Sequence, residues 1–260
     1  MKPEVVLQRL KTLSRDYGFN ITQTISARAY DNIVYEQKSA SRLLPGAGSI
    51  TLIGFGGNSF WGTLKSYIRD NPSFKERGED LIDNYSLMVF KELTDVLKEN
   101  GVKYRAVFPF GSGGALLDFV KLGEVSGAGV RSLLGILLHP TYGPWISLRG
   151  ALLTELELSS YDSALSGFDP CPSCHKPCIE ACPASTISER GWDWESCMVF
   201  RLTEVTCSSG CASRRACPHG NDRQYSQEQL AYHHKFVLGS VKKYFEEKNP
   251  ESPDPLTSKI

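Results

Sequence analysis

The chain has 260 residues, 41% hydrophobic and 22% charged, and its 29 acidic and 29 basic side chains cancel to a net charge of zero. That is ordinary globular composition, and the length suffices for one substantial core plus a small appended module. The balanced charge speaks against the basic footprint of a nucleic-acid binder, and no stretch reaches the roughly 18 apolar residues of a membrane span.

The amino terminus mixes charged with apolar residues and has no signal-peptide core, so a soluble, cytoplasmic chain is expected. Val5, Leu7, Leu10 and Leu13 recur at helical spacing and predict an opening helix over 4–17. After the turn Leu43-Leu44-Pro45-Gly46, the run 49–55 is almost wholly apolar and predicts a central strand. Residues 80–99 carry an apolar helical face from Leu81 to Leu97 and close at Asn100-Gly101. A second strand is expected over 104–110. The glycine-rich stretch 111–129 predicts one short helix between two loops that admit close approach of a ligand. Residues 136–138 and 145–148 read as two strands joined through Pro140–Pro144. Residues 224–244 predict a helix, and the Pro-containing polar stretch 249–260 a loose tail. Gly54-Phe55-Gly56-Gly57 and Gly111-Ser112-Gly113-Gly114 do not complete a dinucleotide fingerprint, so a Rossmann NAD site is rejected.

All eight cysteines fall within 171–217, and in a cytoplasmic chain such clustering points to metal rather than to disulfides. The first group is Cys171, Cys174, Cys178 and Cys182-Pro183; the second is Cys197, Cys207, Cys211 and Cys217-Pro218. A bacterial-type iron–sulfur run places three close thiolates on one cluster and sends a fourth, followed by proline, to the other. Here the middle spacer of the first group is one residue longer than in that run, and Pro177 is expected to be accommodated as a local bulge. Eight thiolates make two complete sets of four. The competing reading is a pair of zinc sites, which would favour separated cysteine knuckles over so compressed a first group.

The predicted organisation is an α/β (α+β) N-terminal domain at 1–160 and a bacterial ferredoxin-like module for two 4Fe-4S clusters at 161–222. A closing helix follows at 223–248, then a flexible tail at 249–260. In its cysteine module, in 43–56 (with LPGAGSITLIGF), and in SGAGVRSLLGILLHPTYGPWISLRGALLTE, the chain resembles the epoxyqueuosine reductases and the related reductive dehalogenases. These pair two four-iron clusters with a cobalamin. The resemblance implies that Cys171, Cys174, Cys178 and Cys217 hold one cluster, and that Cys182, Cys197, Cys207 and Cys211 hold the other. It also implies a corrinoid beside Gly127, Gly129, Arg131, Tyr142 and Trp145. The sequence departs from the epoxyqueuosine reductases in three ways. The position of their aspartate acid falls on Gly113, with Asp118 the nearest acid; the helical-repeat domain beyond the clusters is not expected; and the net charge does not suit a tRNA substrate.

The function expected is transfer of electrons through two clusters to a cobalamin held by the N-terminal domain, either in a corrinoid-dependent reductase or in a corrinoid-reducing protein. The alternatives are an epoxyqueuosine reductase proper and a ferredoxin-like carrier without chemistry of its own. The expected partners are a low-potential electron donor of ferredoxin or flavodoxin type, and a corrinoid or small-molecule substrate. Tyr142, His139 and Asp118 are the candidate proton donors, set against a packing role for Tyr142 and a strand-end cap for His139. For Arg131 and Arg149 the choice lies between a corrinoid contact and pairing with surface acids. His175 and His219, next to cluster cysteines, are read as groups that tune cluster potential. His233-His234 are read as a solvated or half-buried pair, and Arg214-Arg215 as solvated or docking an acidic donor.

Overall fold

The computed structural model describes residues 2–77, 80–111, 116–158, 165, 167–207 and 209–248. The tail 249–260, the boundary near 160 and Gly113 lie outside them. Helix α1 (Pro3–Asp16) opens on a proline, where no helical N–H is lost. It buries Val6, Leu7 and Leu10, then ends at Gly18 with φ 84°. Strand β1 (Ile21–Ser26) was not predicted. Its ITQTIS sequence carries too few apolar residues to signal a strand, and its Thr24 hydroxyl is bonded to Thr51 at 3.0 Å across the ladder. Short helices α2 (Ala27–Asp31) and α3 (Ala40–Leu43) lead into β2 (Ser49–Gly56), which is buried at every position. Helices α4 (Ser59–Asp70) and α5 (Leu81–Glu99) follow, the latter capped by the Asp80 carboxylate, which accepts the N–H groups of Ile82 and Asp83.

After β3 (Tyr104–Val107) and α6 (Phe119–Val125), strands β4 (Val130–Arg131) and β5 (Leu137–Leu138) form a two-stranded sheet of their own. β6 (Ile146–Thr154) returns to the main sheet, whose order is β1-β2-β6-β3 with every neighbour antiparallel. The two strands expected at 136–138 and 145–148 therefore belong to different sheets and meet only through an isolated bridge, His139 to Gly143.

Alternation along β2 sends Ile53 and Phe55 to one face of the sheet and Ile50 and Leu52 to the other. The first face packs on α1, α4 and α5, with Phe55 and Phe60 stacked at 3.8 Å. The second packs on α2, α3 and α6 through Tyr30, Ala40, Leu43, Phe119 and Leu122. The result is a mixed three-layer arrangement, helices on both sides of one antiparallel sheet. The cysteine segment holds α7 (Pro177–Glu180), the hairpin β7 (Ile187–Ser188) with β8 (Gly191–Trp192), α8 (Trp194–Thr203) and α9 (Ala212–Ala216). Helix α10 (Gln227–Lys248) closes the chain, and Tyr225 and Leu230 enter the first-face core. Among the described residues no helix is long and apolar enough to cross a membrane.

Candidate metal centre

The extra residue in the first cysteine group is absorbed by one backbone conformation. Lys176 takes the left-handed region at φ 56°, and Pro177 then opens α7, so the spacer is fitted by a turn rather than by a bulge. Cys178 lies in α7, and Cys217 follows α9, which packs against α7. That packing carries Cys217 to the first group: Cys171, Cys174, Cys178 and Cys217 line one narrow cavity, walled by Ser132, Leu133, Leu134 and Leu138. Burial raises the Cys217 thiol pKa, and the adjacent Cys178, Cys171 and Cys174 raise it further. The Cys207 thiol is likewise raised by burial first, then by Cys211 and Cys197, with Cys182 adding to them and Arg201 opposing. Two neighbourhoods of four thiols thus exist, each drawn from both sequence groups. All eight are free thiols, a donor set that fits two iron–sulfur clusters. Among the described residues no three His, Cys, Asp or Glu side chains gather as the ligands of a single ion.

The surroundings of the two sets differ. The first set sits among Leu134, Leu138, Ile187, Phe168 and Trp192, a cluster that Cys182 also packs against, and its sulfurs meet backbone donors: Lys176 N–H on Cys174 at 3.3 Å and His219 N–H near Cys217. In the second set, the Cys182 sulfur stands 3.5 Å from the Thr186 hydroxyl. Burial opposes the Cys182 thiolate, yet the Thr186 hydroxyl and N–H, the Ala184 N–H and the nearby Ser213 hydroxyl outweigh it and lower the pKa.

The β4–β5 hairpin, expected beside a corrinoid, roofs the first cysteine set. The turn after it interlocks with the cysteine segment. A Cβ at Gly143 (φ 55°) would stand 2.0 Å from the His219 carbonyl oxygen, and one at Gly220 (φ 69°) would stand 2.4 Å from that of Tyr142. Only glycine permits both contacts. Arg214 locks the junction: its guanidinium donates twice to the Pro144 carbonyl, at 3.1 and 2.7 Å, and lies over the rings of Trp145 and Tyr225. Arg214 is therefore turned inward, neither solvated nor placed to dock a partner, while Arg215 bonds Gln227 at 2.5 Å.

The residues named for corrinoid contact each have a local structural partner or role. Gly127 (φ 81°) ends α6, and Gly129 allows its strand to approach Leu138, whose carbonyl oxygen would lie 2.7 Å from an added Cβ. Arg131 pairs with Glu124 at 3.0 Å, and Arg149 pairs with Asp83. Trp145 is 0% exposed. A surface that receives a ligand stays accessible when the ligand is absent, so Trp145 belongs to the core and not to a corrin face.

Of the proton-donor candidates, His139 and Tyr142 stand together, rings 4.8 Å apart, in a polar cleft of about 390 Å³ with Lys11, Arg15, Asn20 and Gln23. His139 Nδ1 accepts the N–H groups of Thr141 and Tyr142, so in the neutral ring the proton sits on Nε2. Asp118 lies elsewhere, capping α6 by accepting the Lys121 N–H at 3.0 Å. Asp118→Ala is expected to lower stability by about 1 kcal/mol, the usual worth of such a cap. Denaturant unfolding of the variant beside the wild type checks it.

Sequence reasoning missed what surrounds the second set. His234 is 9% exposed, its Nδ1 3.0 Å from both an Arg201 nitrogen and the Cys207 carbonyl oxygen. His233 stacks on Tyr225 at 5.4 Å. Both are held neutral: burial first, then nearby guanidinium groups, takes His233 to about 3 and His234 to about 4. The same region holds the buried side-chain atoms that lack a partner among the described residues: Trp145 Nε1, Arg201 Nε, Ser213 Oγ, Tyr225 OH, His233 Nε2 and the Gln229 amide. Each such atom costs about 1–3 kcal/mol if nothing meets it.

No family model matches the chain, and no curated protein matches it in sequence. Solved structures do match it. An epoxyqueuosine reductase bound to an epoxyqueuosine-modified tRNA-Tyr stem loop aligns over 97% of this chain and 79% of that one, with a TM-score of 0.63 at 15% identity. The catabolic reductive dehalogenase NpRdhA aligns over 95% of this chain but 37% of its own, with a TM-score of 0.54 at 17% identity. The B12-trafficking protein CblC of C. elegans aligns over 89% and 92%, with a TM-score of 0.55 at 15% identity. The chain thus shares the fold of the epoxyqueuosine reductases and reductive dehalogenases that its sequence resembles, and of a B12-trafficking protein that the sequence did not suggest.

Proposed function

We propose that this chain is an iron–sulfur redox protein in which Cys171, Cys174, Cys178 and Cys217 hold one 4Fe-4S cluster and Cys182, Cys197, Cys207 and Cys211 the other, and that its electrons go to a corrinoid. The observation that carries the cluster reading is the gathering of thiols by fours across the two sequence groups, with Cys217 among the first three cysteines. The corrinoid reading is supported by the fold shared with a B12-trafficking protein and with reductases. It draws no support from the five residues named for it. Cluster potentials reaching down to about −700 mV suit so demanding an acceptor. The protein's own part is to bury the thiolates, supply hydrogen bonds to sulfur and hold the two sets within one module. A low-potential ferredoxin or flavodoxin is the proposed donor.

Anaerobic purification with iron and sulfide analysis, followed by titration with cobalamin, tests both halves. About eight irons per chain, a broad visible absorption and a cobalamin spectrum that changes on mixing are expected. Zinc in place of iron ends the cluster reading. Eight irons with an unchanged cobalamin spectrum would remove the corrinoid and leave the ferredoxin-like carrier. Turnover of an epoxyqueuosine-modified stem loop would favour the epoxyqueuosine reductase reading, against which stand Gly113 at the aspartate position and the neutral charge.

A further inference from the structure

We infer that the polar cleft at the outer edge of β1 binds a small organic anion. Its phosphate or carboxylate lies between Lys11 and Arg15, and a hydroxyl or amide of its body meets Gln23. The inference depends neither on the clusters nor on a corrinoid. The cleft measures about 390 Å³, the small end of ligand sites that run to about 1,000 Å³, so it suits a compact molecule and not a corrinoid.

Two independent observations carry it. The first is charge without a counter-ion. Lys11 and Arg15 stand four residues apart on α1, a spacing that puts them on one helix face with Cβ atoms about 5–6 Å apart. Neither has an ion pair or a side-chain hydrogen bond among the described residues, and no carboxylate among those residues lines the cleft. A guanidinium beside an ammonium is a strong receiver of oxyanions.

The second is a buried amide with nothing to bond. Along β1, Ile21, Gln23 and Ile25 point to the second face of the sheet, the side of Ile50 and Leu52. Gln23 is 8% exposed and opposite Leu52 in the ladder, and its amide has no hydrogen bond among the described residues. An apolar side chain would suit that row better, since an unmet amide costs stability. The amide instead borders the cleft, together with Tyr142. β1 is also the edge strand of its sheet, so its outer N–H and C=O groups have no strand partner. The walls are already fixed. Asn20 donates to the Gly56 carbonyl at 3.0 Å and accepts the Gly56 N–H at 2.7 Å, while His139 Nδ1 holds the turn that carries Tyr142. A ligand here finds a cationic end on the α1 side and an amide that both donates and accepts on the other.

The test is calorimetric titration of the anaerobically purified full chain at constant ionic strength, with inorganic phosphate, glycerol 3-phosphate and malate as probes. The first carries only an oxyanion, and the other two add a hydroxyl. At least one of those two is expected to bind more tightly than inorganic phosphate, and which one names the oxyanion. Lys11→Ala combined with Arg15→Ala should weaken every probe that binds by about tenfold or more. Arg9→Ala, on the same helix but paired with Glu99, should change none of them. Gln23→Leu should weaken the hydroxylated probe about fivefold and leave inorganic phosphate as it was. By removing an unmet amide it should also raise the melting temperature of the ligand-free chain by about 2 °C, the opposite of what loss of a structural glutamine would do. Binding of none of the three probes, binding untouched by the charge variant, or a Gln23→Leu chain that melts lower overturns the inference. Displacement of the bound probe by cobalamin overturns it as well, because the cleft would then belong to a corrinoid site.

Discussion

Replacing Cys171 and Cys217 together by serine is expected to leave a chain with about four irons, whereas replacing Cys171 and Cys182 together should leave almost none. The two double variants separate two ways of sharing eight thiolates. If clusters followed sequence order, Cys171 and Cys182 would belong to one cluster, and their joint loss would spare the other. Crossing puts Cys217 with Cys171 and Cys182 with Cys207, which reverses the outcome. The geometry behind the expectation is the packing of α9 on α7, which sets Cys217 in the cavity lined by Cys171, Cys174 and Cys178. Iron and sulfide analysis of the purified variants decides it. A Cys171/Cys182 variant that retains half its iron would sink the crossed assignment.

Mild acid should loosen the fold through His233 and His234. Both have folded pKa values below the unfolded one, near 3 and 4 against an ordinary value of 6.5. As pH falls below about 6.5, the unfolded chain takes up protons at these rings and the folded chain does not. Their contribution is therefore fully present above that pH and is lost as pH falls toward the folded values. Between about pH 6.5 and 5 each histidine should cost about 1–2 kcal/mol. His233→Phe, which keeps an aromatic ring against Phe55 and Tyr225, should roughly halve the pH slope. Anaerobic denaturant unfolding at pH 7, 6 and 5 measures it, and a slope unchanged by the substitution would show that His233 is not held neutral.

The cysteine arrangement was legible because its information is local and chemical: types, spacers and two Cys-Pro pairs. The central strand was legible because the run from Ser49 to Phe55 is almost wholly apolar, which only a strand covered on both faces requires. The polar side chains could not be read in this way. Arg214 looks solvated in sequence, yet its inward course depends on a carbonyl at Pro144 and two rings, at Trp145 and Tyr225, all distant along the chain. His233 and His234 read only as a solvated or half-buried pair because nothing local reveals that α10 lies against both the first-face core and the second cysteine set. Gly127 and Gly129 did mark places of special backbone need, but the need is a helix end and a close strand approach. Glycine reports that backbone or bulk is constrained and does not say by what.

The placement of α10 has a consequence for how the molecule is assembled. Tyr225 and Leu230 complete a core whose other members come from the first 152 residues, so the chain must run through all eight cysteines before its larger layer can close.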